Sequence, residues 1–325
     1  MKRVILLIFI VVQFLVISAC SSQTGPHDIY VTVYPLQYVA EEILIDTEYT
    51  VGIVPGVTSH ESSVDWSPKE IIAMTEATYL FYIGANYDYY IDYQIDSIFS
   101  NKDVELIKIE LETEYIEFIP GILHDHDHEA EETNTLLNTT ALGIDPHFWI
   151  SPLKILEVSA LIYDKLVIAY PDEQDTLETN YLNLINKLET LHNDFSDAIS
   201  KLTKPVMTST NLYGYLNHDY GLNFMPISPG YHEEADQFTT QQKEEIVAEA
   251  LMHEIRYIIF ERYTTSPLSN AVFSELELLG KEPIKVEFNI LQSITKEDID
   301  LGKNYITAMY ENLELLKTAG EYSEE

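Results

Sequence analysis

Along the 325-residue chain the spacing of apolar positions alternates between strand-like and helix-like. Ile29-Tyr30-Val31-Thr32-Val33-Tyr34 is a β-branched and aromatic run that predicts a strand ending at Pro35-Leu36, and Gln37 to Ile45 predicts a helix. Tyr49 to Val54 predicts a second strand, which runs into Pro55-Gly56-Val57-Thr58-Ser59-His60. Ser67-Pro68 opens a helix through Met74, and Tyr79-Leu80-Phe81-Tyr82-Ile83-Gly84 reads as a buried strand closed by a glycine. Strands and helices alternating at this pitch argue for a parallel sheet. In such sheets ligands sit off the carboxyl ends of the strands, which is where His60 falls.

Glu110 to Asn138 breaks the pattern with His124-Asp125-His126-Asp127-His128, followed by Glu129, Glu131 and Glu132. That tract is too polar to pack and reads as a mobile loop able to chelate zinc loosely, since imidazole and carboxylate are both acceptable zinc ligands. Beyond Pro152 a helix is predicted to about Ala169. The longest periodic segment follows, with Leu177, Tyr181, Leu184, Leu188, Leu191 and Phe195 at alternating four- and three-residue steps and neither glycine nor proline from Asp172 to Thr203. At ~1.5 Å per residue such a helix reaches on the order of 45 Å, enough to run the height of a two-lobed molecule. The second half repeats the alternation, with strands at Pro205 to Ser209, Phe224 to Ile227, Tyr257 to Glu261 and Ile284 to Phe288. Helices are predicted at Leu212 to Tyr220, Thr240 to His253 and Leu268 to Leu279, and a closing one from Lys296 to Leu316.

The expected fold is α/β: two lobes, each a mainly parallel sheet flanked by helices, joined by one long rigid helix. The expected divisions are 1–19 leader, 20–28 tether, 29–171 first lobe with the His/Asp loop at about 121–138, 172–203 connecting helix and 204–325 second lobe.

Charge narrows the partners. A formal net charge of −36 argues against nucleic acid, whose phosphates want the opposite sign, while divalent cations would be enriched near such a surface. No G-x-G-x-x-G or Walker A run follows any predicted strand, so phosphate cofactors are not expected. Met1-Lys2-Arg3, the apolar run Val4 to Ile17 and Ser18-Ala19-Cys20 have the layout of an export signal, the run being short for ~20 membrane-spanning residues. Ile17-Ser18-Ala19-Cys20 resembles a bacterial lipobox, which makes Cys20 the expected lipidation site. A single cysteine excludes an intrachain disulfide and a cysteine-based zinc site.

Gly143-Ile144-Asp145-Pro146-His147-Phe148-Trp149 locks a histidine between an acid, a proline and an aromatic pair. Pro146 fixes its own φ and pushes Asp145 toward an extended conformation, so His147 leaves the backbone at a set angle, with an acid two residues back to orient its ring.

Taken together, several features resemble the substrate-binding lipoproteins of zinc and manganese ABC importers, a group that includes lipoprotein adhesins. They are the lipobox, Tyr34-Pro35-Leu36, Pro55-Gly56-Val57-Thr58-Ser59-His60 before Ser67-Pro68-Lys69-Glu70-Ile71, the His/Asp loop, Asp145-Pro146-His147-Phe148-Trp149, Gly214-Tyr215 near Tyr220-Gly221-Leu222, and Asn304-Tyr305. The resemblance spans essentially the whole chain after the leader. It implies a single metal in the cleft between lobes, with ligands matched by His60 and His147. A third ligand position falls on Thr210, where the family usually carries histidine or glutamate. The fourth is an acid near the last strand, for which Glu287 is the nearest candidate and Asn289 its neighbour. His232 is a further candidate, in a segment the resemblance places near the cleft.

Two or more histidines favour Zn²⁺ over magnesium or calcium, and Mn²⁺ stays open as the alternative. The implied function is not enzymatic: a monomer tethered outside the bacterial cytoplasmic membrane captures the ion and delivers it to an ABC permease. An adhesin or scaffold with a degenerate site is the alternative. A zinc hydrolase is the third reading, weakened because His60-Glu61 and His253-Glu254 each lack a second histidine four residues after the first.

Overall fold

The computed structural model describes residues 26–56, 64–119, 143–230, 239–262 and 264–324. The first half builds β1 (Ile29–Val31), α1 (Tyr34–Ile43), β2 (Val51–Ile53), α2 (Pro68–Thr75), β3 (Tyr79–Tyr82), α3 (Tyr89–Asp92) and β4 (Glu105–Lys108). Two long helices follow, α4 (Pro152–Ala169) and α5 (Gln174–Ser200). The second half builds β5 (Val206–Thr208), α6 (Gly214–Tyr220), β6 (Phe224–Pro226), α7 (Thr240–Met252), β7 (Tyr257–Glu261), α8 (Pro267–Leu278), β8 (Ile284–Phe288), α9 (Lys296–Asp300) and α10 (Tyr305–Ala319).

The two halves have the same topology. Their strands lie in the orders β2-β1-β3-β4 and β6-β5-β7-β8, all parallel. In each sheet the chain first steps to one side of its opening strand and then crosses to the other. The switch points therefore lie between β1 and β3 and between β5 and β7, and it is at the carboxyl ends of such points that α/β sheets bind ligands.

The central strands of both sheets are buried on both faces, which is why β1, β3 and most of β7 read as apolar runs, whereas β8 alternates. Tyr30, Leu80 and Tyr82 pack with Trp66, Met74, Tyr90 and Phe99 on the outer face of the first sheet. Met207, Ile258 and Phe260 do the same with Ile246, Val247 and Val272 on the second. The inner faces, with Ile29, Val31 and Phe81 from one sheet and Val206, Ile259 and Phe288 from the other, share a single core with α5. The stripe Leu177, Leu184, Leu188, Leu191 and Phe195 of that 27-residue helix is wholly buried. Lys187 reaches Glu42 on α1 at 2.7 Å, and Asp194 accepts from Tyr310 of α10 at 2.7 Å, so one straight element touches both halves.

Three local expectations change. The first strand stops at Val31, and a helix begins at Tyr34, because Pro35 sits in its first turn where a missing N–H costs nothing. The closing helix is two helices, broken at Gly302, whose φ of +74° is left-handed, and restarted by Asn304 accepting from the Thr307 N–H at 3.0 Å. Strand β4 pairs with β3 although its four residues, flanked by Asn101-Lys102-Asp103, carry too weak a pattern to be singled out from sequence. Among the described residues no helix is long and apolar enough to cross a membrane.

Candidate metal site

His147 leaves the chain just before a turn of helix that leads into α4, and it is 3% exposed. Asp145, fully buried, accepts both the His147 backbone N–H at 2.9 Å and its Nδ1 at 2.8 Å through one oxygen, Oδ1. Nδ1 is thereby engaged, and Nε2 is the nitrogen that would meet a metal. Around the ring stand Tyr87 at 6.0 Å, Phe118 at 6.3 Å and Trp149 at 5.3 Å between centroids.

The second half closes over this segment from several directions. The Tyr215 hydroxyl donates to the Asp145 carbonyl at 2.9 Å and accepts from the Ile116 N–H at 3.2 Å. Trp149 Nε1 donates to the Ile290 carbonyl at 2.9 Å, Tyr305 donates to the Trp149 carbonyl at 2.8 Å, and the Tyr34 N–H donates to the Gln292 carbonyl at 3.2 Å. Asn211 Nδ2 bridges the Ile119 and Pro229 carbonyls, both at 2.9 Å. Gly214 is required here, because a Cβ at that position would lie 2.9 Å from Asp145 Oδ2.

Along this boundary lie buried polar atoms that have no hydrogen-bond partner among the described residues: Asp145 Oδ2, Asn211 Oδ1 and Gln292 Nε2. An unpaired buried polar group is costly unless water or a ligand meets it.

Thr210 sits just past the carboxyl end of β5, 3% exposed, beside a carboxylate that is not among the residues expected from sequence. Glu261 ends β7, is 2% exposed, and accepts from the Ser209 hydroxyl, from the Thr210 N–H at 3.3 Å and from the Tyr213 hydroxyl at 3.3 Å. Burial pushes this carboxyl above the ordinary glutamate value, while the Ser209 and Thr210 groups pull it back. Glu287 is placed elsewhere. It lies on the outward row of β8 with 55% of its side chain exposed, 3.4 Å from Lys285, and the structure does not bring it to His147. The sequence did hold a signal for Glu261, an acid ending a buried strand at a carboxyl end, but position in the chain favoured the later strand.

The matching place in the first sheet holds Asp88, fully buried at the carboxyl ends of β1 and β3. It accepts from the Ile83 N–H, from the Gly84 N–H at 3.3 Å, from Thr32 Oγ1 at 3.3 Å and from the Tyr90 hydroxyl at 3.4 Å. Burial outweighs these donors and pushes its pKa up to about 7. Each topological switch point thus carries one buried carboxylate.

Of the described residues proposed as ligands, His147 offers a nitrogen donor oriented by Asp145 and Thr210 only a hydroxyl. Among the described residues no three His, Cys, Asp or Glu side chains gather closely enough to hold an ion. His60, His232, the loop histidines His124, His126 and His128, and Cys20 lie outside the described residues.

Comparison with known proteins identifies the family. A zinc-binding lipoprotein AdcA of Streptococcus pneumoniae is 29% identical over 326 residues, covering 98% of this chain and 61% of that protein. This chain therefore spans about three fifths of the length of that relative. The high-affinity zinc uptake system protein ZnuA of Bacillus subtilis is 26% identical over 319 residues, covering 94% of this chain and 93% of that one. The crystal structure of the Zn(II)-bound ZnuA-like domain of S. pneumoniae AdcA superposes with a TM-score of 0.68 at 26% identity, over 91% of this chain and all of that domain. The model of the family described as ZnuA, zinc-uptake complex component A, periplasmic, matches residues 29–319, and to that family of solute-binding proteins, which is not a family of enzymes, this chain belongs.

Proposed function

We propose that this protein captures Zn²⁺ outside the cytoplasmic membrane and delivers it to the permease of an ABC importer. The observation that carries the reading is His147, buried and tied at Nδ1 to Asp145, on a boundary where Asp145, Asn211 and Gln292 each keep a buried polar atom without a partner among the described residues. An imidazole oriented by a carboxylate is how proteins hold zinc, and the surrounding aromatic rings keep water from competing.

In this reading His60 joins His147 as the second nitrogen ligand, and Thr210 faces the ion from the second lobe with a hydroxyl where a stronger ligand would be expected. Glu261 takes the place proposed for Glu287 as the nearby acid, acting by holding the Ser209-Thr210 turn, since its oxygens already accept from three groups. His232 is a reserve ligand. His124, His126 and His128 collect zinc ahead of the cleft, and a lipid on Cys20 keeps the monomer near the membrane. With so few nitrogen donors Mn²⁺ is the competing cargo.

The test is a zinc titration against a competing chelator on leaderless protein, on His147→Ala and on a variant lacking residues 125–132. One tight site that survives loop removal and vanishes in His147→Ala is expected. Binding that disappears with the loop and ignores His147→Ala would sink the cleft site and leave a scaffold.

A further inference from the structure

Three consecutive residues after β3 have left-handed backbone: Gly84 at φ +84°, Ala85 at +48° and Asn86 at +60°. Glycine adopts such angles freely; alanine does so only where its surroundings over-determine it. Here they do. Asp88 accepts from the Ile83 and Gly84 N–H groups, Glu110 accepts from the Ala85 N–H at 2.7 Å, Tyr115 donates to the Ile83 carbonyl at 2.8 Å, and the Tyr87 N–H closes the turn on the Gly84 carbonyl at 2.8 Å. Gly84 itself has no room for a side chain, because a Cβ would meet Glu110 at 2.6 Å.

What this strained turn delivers is Tyr87. Its ring, 3% exposed, stands edge-on to the His147 imidazole and to Trp149, whose centroid is 5.3 Å away. Strain of this kind persists where it serves a site, and a wall against a buried imidazole is such a service.

We propose that Asp88 is a positioning residue of the capture site: by clamping the Gly84-to-Tyr87 turn it holds the Tyr87 ring against His147 and so fixes the plane of the imidazole. The inference rests on reading His147 as a metal ligand, which the experiment tests separately. Asp88→Asn keeps the side chain's size but puts an amide donor among groups that are themselves donors. Phe99→Leu, trimming the outer core of the same sheet, is the control for lost stability alone. Zinc affinity is measured by chelator competition, and the His147 ring is followed by nitrogen–proton NMR correlations in metal-free protein.

Asp88→Asn should weaken zinc binding by about tenfold or more and shift the His147 ring signals before any metal is added. Phe99→Leu should lower Tm and do neither. Should Asp88→Asn fail to fold, Tyr87→Leu keeps the clamp, removes the wall, and should show the same two changes. Unchanged ring signals and affinity in folded Asp88→Asn or Tyr87→Leu protein would overturn the proposal, as would equal changes in Phe99→Leu. Wild-type protein that binds no zinc would overturn the capture reading instead, and the metal-free ring signals would still decide the role of Asp88.

Discussion

Asp145 Oδ1 accepts from His147 twice, from its backbone N–H at 2.9 Å and from its ring Nδ1 at 2.8 Å, so one buried oxygen fixes both where the histidine starts and how its ring turns. Asp145→Ala removes both anchors. Zinc affinity should fall by about ten- to a hundredfold while the far-ultraviolet dichroism of the folded protein is retained, as chelator competition would read.

Gly214 is the neighbour on the other side of that carboxylate. Alanine there gains helix propensity of at most about 1 kcal/mol, but its Cβ would press on Asp145 Oδ2, and the carboxylate cannot swing away without releasing His147. Overpacking of this kind costs roughly 1–3 kcal/mol, so the clash should win. Gly214→Ala is expected to lower the urea midpoint and to weaken zinc binding together; a stabilised variant with unchanged affinity would contradict it.

Thr210 is buried just past the carboxyl end of β5, at the position the proposed site takes from the second half. Replacing it by histidine offers zinc a further nitrogen, and Thr210→His should tighten Zn²⁺ binding by about tenfold relative to Mn²⁺. A parallel titration with both metals checks this, and a loss of selectivity would show that Thr210 lies off the ion.

Asp88 makes stability depend on pH. Its folded pKa of about 7 stands above the ordinary value of 3.8 because burial penalises the carboxylate, so the folded state holds the proton more tightly than the unfolded chain. The stability this contributes is fully present below about pH 4 and is lost as pH rises through 7. The Tm difference between wild type and Asp88→Asn should therefore drift against wild type from pH 5 to pH 8. The comparison cancels the repulsion among the other acids of this −36 chain.

Leu188 is fully buried on α5 in the core shared by both sheets. Leu188→Ala should cost about 2–5 kcal/mol and shift one cooperative unfolding transition. Two separated transitions in guanidinium would show that the halves do not share that core.

Much of the fold was legible because it depends on short-range patterns. The runs at Tyr79 to Ile83 and Tyr257 to Phe260 are apolar on both sides because helices cover both faces of a parallel sheet. The leucine stripe from Leu177 to Phe195 marks α5 because one face of it is buried along its length. The break at Gly302 was missed because a glycine in a polar stretch does not say whether its φ is positive, and the shift of the first helix to Tyr34 was missed because a proline reads as a stop as readily as a start.

By itself the sequence determined the alternation of strands and helices, the long connecting helix and the rigid histidine of Asp145-Pro146-His147, since each is set by neighbours a few residues apart. Only the tertiary structure decided which acids are buried at the carboxyl ends of the strands. Glu287 and Glu261 both lie at or next to the carboxyl end of a strand in an acidic chain; the register that pairs Phe260 with Glu287 and Glu261 with Phe288 turns one carboxylate to solvent and buries the other against Ser209, Thr210 and Tyr213. The same holds for Asp88, an unremarked acid among tyrosines until the sheet brings Thr32, Ile83 and Gly84 around it. Burial and partners arise from contacts between segments far apart in the chain, and those contacts exist only once the sheets have formed.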